Sequence, residues 1–186
     1  MSYFDIRGYQ PRWLSGRQAI TIAHGRRLRA LVGRRLRRAW LLWDLDADEW
    51  FADGPVLLDF DGEQTEVNHY KFDDLSITWN TIDPVGQPTW TSGDWGHPDD
   101  CVFHLSWRHD AVPELLAVQD QRLHAVELLQ WTTPNTPKSH GGTYEGSVAV
   151  SFVFETGRIT IVNALDENVL EFGAPHAHWK CHPLHR

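Results

Sequence analysis

Sulfur is scarce in this chain of 186 residues, which has two cysteines and one methionine. Cys101 and Cys181 stand far apart and neither belongs to a CxxC pair. That excludes a disulfide-stapled secreted scaffold and a thiolate zinc ribbon, and sets the expectation of reduced thiols in a cytoplasmic protein. Long apolar runs are absent as well. No window approaches the roughly 18 apolar residues of a membrane span, and the opening MSYFDIRGYQPRW lacks the apolar core of a secretion signal, so no membrane partner is expected. Catalytic fingerprints are missing: there is no GxSxG, no GxxxxGK[ST], no GxGxxG after a strand and no HExxH. A site assembled only in space carries no such signature, so the enzyme question stays open, with a non-catalytic role favoured.

Tryptophan and histidine are abundant instead, ten and eleven residues respectively. The net charge of −8 hides an asymmetry, since residues 1–40 hold ten Arg against one acid, Asp5, and the remainder holds seven basic and 24 acidic residues. Fields of opposite sign within one small domain attract, so an Arg-rich edge is expected to lie against an acidic sheet surface. Arg27, Arg29, Arg35 and Arg37 alternate with apolar residues instead of forming an open basic tail, and most of the chain would repel phosphate. A nucleic-acid partner is therefore not expected.

A pattern repeats. GPVLLDFDGEQTEVNHYKFDDLSITWNTID (54–83) returns as GSVAVSFVFETGRITIVNALDENVLEF (146–172), each a strand, a tight Gly turn, a second strand, an acidic loop and a short apolar strand. The turns are Asp61-Gly62 and Thr156-Gly157. Upstream, a shift of 87 residues lays LRALVGRRLRRAWLL (28–42) on LLAVQDQRLHAVELL (115–129), with six identities in fifteen. Each copy is read as a short helix (near 26–32 or 113–118) followed by a strand (near 34–44 or 121–131). Gly33 and Asp120 make the break between them. Trp40 and Leu42 face one way and Ala39 and Leu41 the other, which places that strand in the middle of a sheet. AITIAH (19–24) alternates and is read as a strand matching VFHLSW (102–107).

The predicted fold is mainly β (α+β): two sequence-related antiparallel β units packed about a pseudo-two-fold axis as a sandwich or partial barrel, with short helices. One domain spans residues 1–186, with repeat 1 near 19–83, a Pro/Gly-rich linker near 84–100, repeat 2 near 101–174 and an extended tail over 175–186. This layout, with VLLDFDGEQTE and ITIVNALDEN, resembles an uncharacterised protein family of high-GC Gram-positive bacteria. That resemblance implies no activity.

Candidate sites come from residue types. Asp44, Asp46 and Asp48 have the spacing of the first ligands of a calcium loop, but Glu49 and Pro55 stand where Gly and Glu are required, so a solvated acidic turn is expected. Trp50 follows that turn and Trp95 sits in the linker, where rings can meet a partner or a sugar. Asn68 and Asn163 take equivalent positions, followed by His69, Asp73 and Asp74 or by Asp166 and Glu167. The expectation there is that Asn and Asp bond their own backbone and end strands, the alternative being acid–base chemistry. His176, His178, Cys181 and His182 in the tail are suitable ligands for a divalent metal, the single cofactor worth testing. Cys101, between His97 and His104, is read as a small buried residue at a strand start.

Together these features point to a non-catalytic domain that binds another protein through an acidic, Trp-bearing surface, inhibitor- or immunity-like, with a homodimer also open. The alternative is a small-molecule or carbohydrate binder with its pocket between the two repeats.

Overall fold

A computed structural model describes residues 3–93, 101–132 and 146–184. The first half contains β1 (Leu14–Ser15), α1 (Arg17–Ala30), β2 (Leu36–Asp44), β3 (Glu49–Trp50), β4 (Val56–Phe60), β5 (Glu63–Tyr70), β6 (Asp74–Trp79) and β7 (Thr89–Ser92). Then follow β8 (Phe103–Arg108), α2 (Pro113–Ala117), β9 (Leu123–Trp131), β10 (Val148–Phe154), β11 (Arg158–Asn163), β12 (Asn168–Phe172) and β13 (Trp179–Pro183). The chain is mainly β, with two antiparallel sheets. The first runs β1-β6-β5-β4-β2-β8-β7 with β3 beside β2; the second runs β12-β11-β10-β9-β13.

Period-two alternation explains the packing. Leu36, Ala39, Leu41, Val56, Leu58, Phe60, Val67 and Ile77 of the first sheet meet Val126, Leu128, Val150, Phe152, Ile159 and Ile161 of the second in one core. Phe60 and Phe152 face each other across it, with ring centres 6.1 Å apart. The opposite face of the first sheet is covered too. Trp40, Leu42, Leu57, Leu105 and Trp107 pack under Ile6 and Tyr9 of the N-terminal segment, with Phe51 and Ile82. β2 therefore carries apolar side chains on both faces between β4 and β8, the central position its sequence calls for.

α1 corrects one expectation. Residues 19–24 are helical, not a strand, and so do not match VFHLSW, which lies in β8. Over six residues Ile20 and Ile22 alternate. Over a longer stretch Ile20, Gly25, Leu28 and Leu31 fall at near-helical intervals and are all buried, while Ile22 points to solvent at 78% exposure. The longer window carries the true period. Two further spans differ. The linker contains β7, and the tail contains β13, which closes the second sheet against β9.

The breaks at Gly33 and Asp120 are present, with φ of 93° and 62°. Four backbone bonds join these turns: Gly33 N to Leu123 O (2.8 Å), Asp120 N to Leu36 O (2.7 Å), Leu36 N to Gln121 O (3.1 Å) and Leu123 N to Arg34 O (2.8 Å). They surround the Arg35–Arg122 bridge, and the 87-residue shift exchanges the members of each pair. The Arg-rich edge meets acids here. Arg37 contacts Asp61 (2.6 Å) and Asp120 (2.9 Å), and Arg27 contacts Glu63 (2.5 Å). These pairs are exposed, so each adds little stability.

Candidate functional site

Two hairpins, β5–β6 and β11–β12, end side by side, and most of the predicted polar residues gather there. Asn68 lies inside β5, buried, and does not end a strand. Its Nδ2 donates to Asp53 O at 3.2 Å, to which the Tyr3 hydroxyl also donates at 3.2 Å. Its Oδ1 accepts from Nδ2 of Asn168 at 2.6 Å. Asn168 opens β12 in the other sheet, and the same Nδ2 reaches Gly54 O (2.8 Å) and Ala52 O (2.9 Å). Asn168 Oδ1 accepts the backbone N–H of His69 at 3.0 Å. Gly54 is required here, because a Cβ on it would lie 2.4 Å from Leu42 Cδ2.

His69 is completely enclosed. Its Nδ1 is 3.0 Å from Asn168 Oδ1 and its Nε2 is 3.1 Å from Val148 O, so both ring nitrogens face oxygens that only accept. A neutral imidazole has one N–H and serves one of them at a time. Burial outweighs both contacts and lowers the pKa from the usual histidine value. Asn168 is the residue that sequence reasoning missed. It follows the acidic pair Asp166-Glu167 and carries no local signal, because its partners are about 100 residues away in sequence.

The expected self-bonding of Asn163 is also absent. It ends β11, and its Nδ2 donates to Lys71 O at 2.8 Å in the neighbouring hairpin. Lys71 N donates to Asp166 Oδ1, and Asp166 N returns a bond to Lys71 O at 3.3 Å. The second turn is closed by Ala164 N to Glu167 O at 2.9 Å, and both of its central residues have positive φ, Leu165 at 62° and Asp166 at 79°. Such turns prefer Asn-Gly; a branched leucine there is strained. Side chains at this tip point outward: Phe72 is 53% exposed and Leu165 46%. Asp53 beneath them has its pKa raised, by burial first and then by the charges of Glu167 and Asp166.

The acidic turn after β2 is self-contained. Asp44 Oδ1 accepts from the N–H groups of Asp46 (2.8 Å) and Ala47 (3.2 Å). Asp46 pairs with His104 at 2.6 Å, and Asp48 accepts from Trp43 Nε1 at 3.0 Å and from Arg108 at 3.3 Å. The three carboxylates point to different partners and share no centre. Trp50 sits half-buried against the main core, and Trp95 lies outside the described residues.

β13 separates the tail residues expected to act together. Strand alternation sends Cys181 and His182 to opposite faces. His176 and His178 stack at 4.9 Å, and His178 stacks on Trp131 at 5.1 Å. Burial near Arg17 and Lys180 lowers the His182 pKa. Among the described residues no group of three or more His, Cys, Asp or Glu is arranged to hold a metal ion. Cys101 is exposed, not the buried strand-start residue expected, and His104 beside it is engaged by Asp46. An open groove of about 550 Å³ lies between the start of α1 and Gln130 of β9. No helix among the described residues is long and apolar enough to cross a membrane.

Comparison with protein-family models, curated proteins and solved structures gives no match for this chain.

Proposed function

We propose that this protein is a non-catalytic protein-interaction domain that presents the joined hairpin tip to a partner, with an inhibitor- or immunity-type role in the cytoplasm as its concrete form. The observation that carries this reading is the exposure of Phe72 and Leu165 on two turns held against each other by Lys71 and Asp166. Large apolar side chains on a rigid, strained turn are costly to the free protein, and burial against another surface offsets that cost. Asp73 follows Phe72, and Asp166 and Glu167 follow Leu165, with Asp53 beneath, so the matching partner is a protein with an apolar socket rimmed by Lys or Arg. Acids at the rim steer such a partner and make its association rate fall with salt.

A duplication of the two halves about a pseudo-two-fold axis is part of the same proposal. It is supported by the reciprocal backbone bonds around Arg35 and Arg122, and it accounts for two similar hairpins ending together.

The test uses the purified chain as bait against a lysate of its own source, in parallel with a Phe72→Ser/Leu165→Ser double variant. A stoichiometric protein retained by the first and lost by the second, with equal melting temperatures, supports the reading. Identical captures, or none at low salt, refute it.

A further inference from the structure

The face of the first sheet that the N-terminal segment covers is left open at one end. A cavity of about 340 Å³ lies there, lined by Arg38 and Trp40 of β2, Asp59 of β4 and Gln64 of β5, with Ile82 and Val85 beyond β6. Strand register puts the four strand residues on this one face. Trp40 opposes Leu57, and both belong to the apolar cluster under Ile6 and Tyr9. Two residues along the same strands Arg38 opposes Asp59, which in turn opposes Gln64. Gln64 is fixed here by bonds from its Nε2 to Glu66 Oε1 (3.0 Å) and Ile82 O (2.8 Å).

Arg38 and Asp59 are opposite charges set side by side, yet they do not pair. Neither side chain forms a hydrogen bond or an ion pair among the described residues. The Arg38 guanidinium lies instead 5.8 Å from the centre of the Trp40 ring. Asp59 is half-buried, and burial raises its pKa more than Arg38 lowers it. Its carboxylate is thus partly dehydrated with no donor in return. Asp83, another acid in the lining, is already engaged: its Oδ1 accepts from the N–H groups of Val85 (3.0 Å) and Gly86 (2.9 Å). Val85, on the turn so fixed, is 69% exposed and forms an apolar lip.

We infer that this cavity binds a free α-amino acid, its zwitterionic head between Arg38 and Asp59 and an apolar side chain against Trp40, Ile82 and Val85. The ammonium group donates to Asp59 and the carboxylate accepts from Arg38. Opposed residues of an antiparallel pair lie about 5 Å apart at Cα, so one compact head group carrying both charges meets both. A simple anion would face Asp59 and Asp83, and a simple cation would face Arg38. Neutral hydroxyls reach both side chains but supply no counter-charge, and charge-assisted bonds are roughly twice as strong as neutral ones. The volume stands at the small end of the roughly 300–1,000 Å³ of ligand sites, which suits a single residue. Few heavy atoms in so open a site set the dissociation constant on the order of a millimolar.

The experiment titrates isotopically labelled protein with leucine, methionine and phenylalanine, following the backbone N–H resonances of Asp59, Gln64 and Val85. A saturable shift from at least one amino acid is expected. Two analogues of leucine, 3-methylbutylamine without the carboxylate and 4-methylpentanoate without the ammonium group, should each bind tenfold or more weakly. Arg38→Gln and Asp59→Asn should each weaken the amino acid by a similar factor at unchanged melting temperature. The inference is overturned if none of the three amino acids moves those resonances at roughly a tenfold excess over a millimolar constant. It is overturned equally if either analogue matches leucine, since one charge would then suffice, or if binding survives both substitutions. None of these outcomes bears on capture of a protein at the tip, which depends on Phe72 and Leu165.

Discussion

Asn168 of the second sheet donates to Asn68 of the first at 2.6 Å, and both side chains are completely buried. Hydrophobic packing tolerates sliding, but this bond does not. It sets the relative position of the two hairpins whose turns form the exposed tip.

Replacing Asn168 by Ala should therefore be severe. The change leaves Asn68 Oδ1, the His69 N–H and the Gly54 carbonyl without that partner, while Ala52 O keeps the backbone N–H of residue 168. Unsatisfied buried groups cost about 1–3 kcal/mol each and partly relax together, so a loss of about 3 kcal/mol is expected. Urea denaturation measures it; a loss below about 1 kcal/mol would mean that the network is not what joins the sheets.

Acid should act through His69. Its folded pKa lies below the unfolded value, so its contribution is fully present above the ordinary histidine range, near 6.5, and is lost as pH falls from there toward the folded pKa. Unfolding midpoints at pH 7.5 and pH 5 should differ more in the wild type than in His69→Leu. The variant starts lower because Asn168 and Val148 lose a donor. Equal losses in both proteins would assign the acid sensitivity to another group.

Asp53 should act in the opposite sense. Burial and the neighbouring charges of Glu167 and Asp166 raise its folded pKa, so its contribution is present at low pH and is lost as pH rises through that pKa. Asp53→Asn should then raise the melting temperature at pH 7 and leave it unchanged near pH 3. The backbone carbonyl of Asp53, which accepts from Tyr3 and Asn68, is retained in the variant.

Leu165 gives a prediction in which stability and binding part company. Asn tolerates the left-handed conformation that Leu165 adopts, so Leu165→Asn should stabilise the fold by about 1 kcal/mol. Loss of the exposed side chain should weaken partner capture at the same time. A variant that is both more stable and equally retentive would remove Leu165 from the interaction surface.

Glu66 tests a buried carboxylate. It accepts from Gln64 Nε2 (3.0 Å), Thr81 N (2.6 Å), Thr81 Oγ1 (2.7 Å), Ile82 N (3.0 Å) and the hydroxyl of Thr78. Glu66→Ala strands these donors and should cost about 3 kcal/mol by thermal or urea unfolding. Glu66→Gln keeps one acceptor and should cost less. Equal costs would show that shape and one retained acceptor do not help, and that the site needs both carboxylate oxygens.

Much of the architecture could be read from residue order alone. Alternation in VLLDF and VAVSFVF marks strands, Asp61-Gly62 and Thr156-Gly157 mark the turns between them, and apolar groups on both faces of Trp40–Leu42 mark a central strand. These signals are local, set by backbone sterics and by which face must leave water. Residues 19–24 failed because six residues do not separate a period of 2 from one of 3.6 when the helix continues well beyond them. Asn68, His69 and Asn163 stood out by type, but their role is decided by Asn168 and Lys71, far along the chain and on another hairpin. The tail histidines likewise looked like one ligand set until strand pairing turned Cys181 and His182 apart. Hydrophobic pattern states which face of a strand is buried. Which polar atoms then meet at 3 Å depends on how two sheets settle on each other, and only the assembled core decides that.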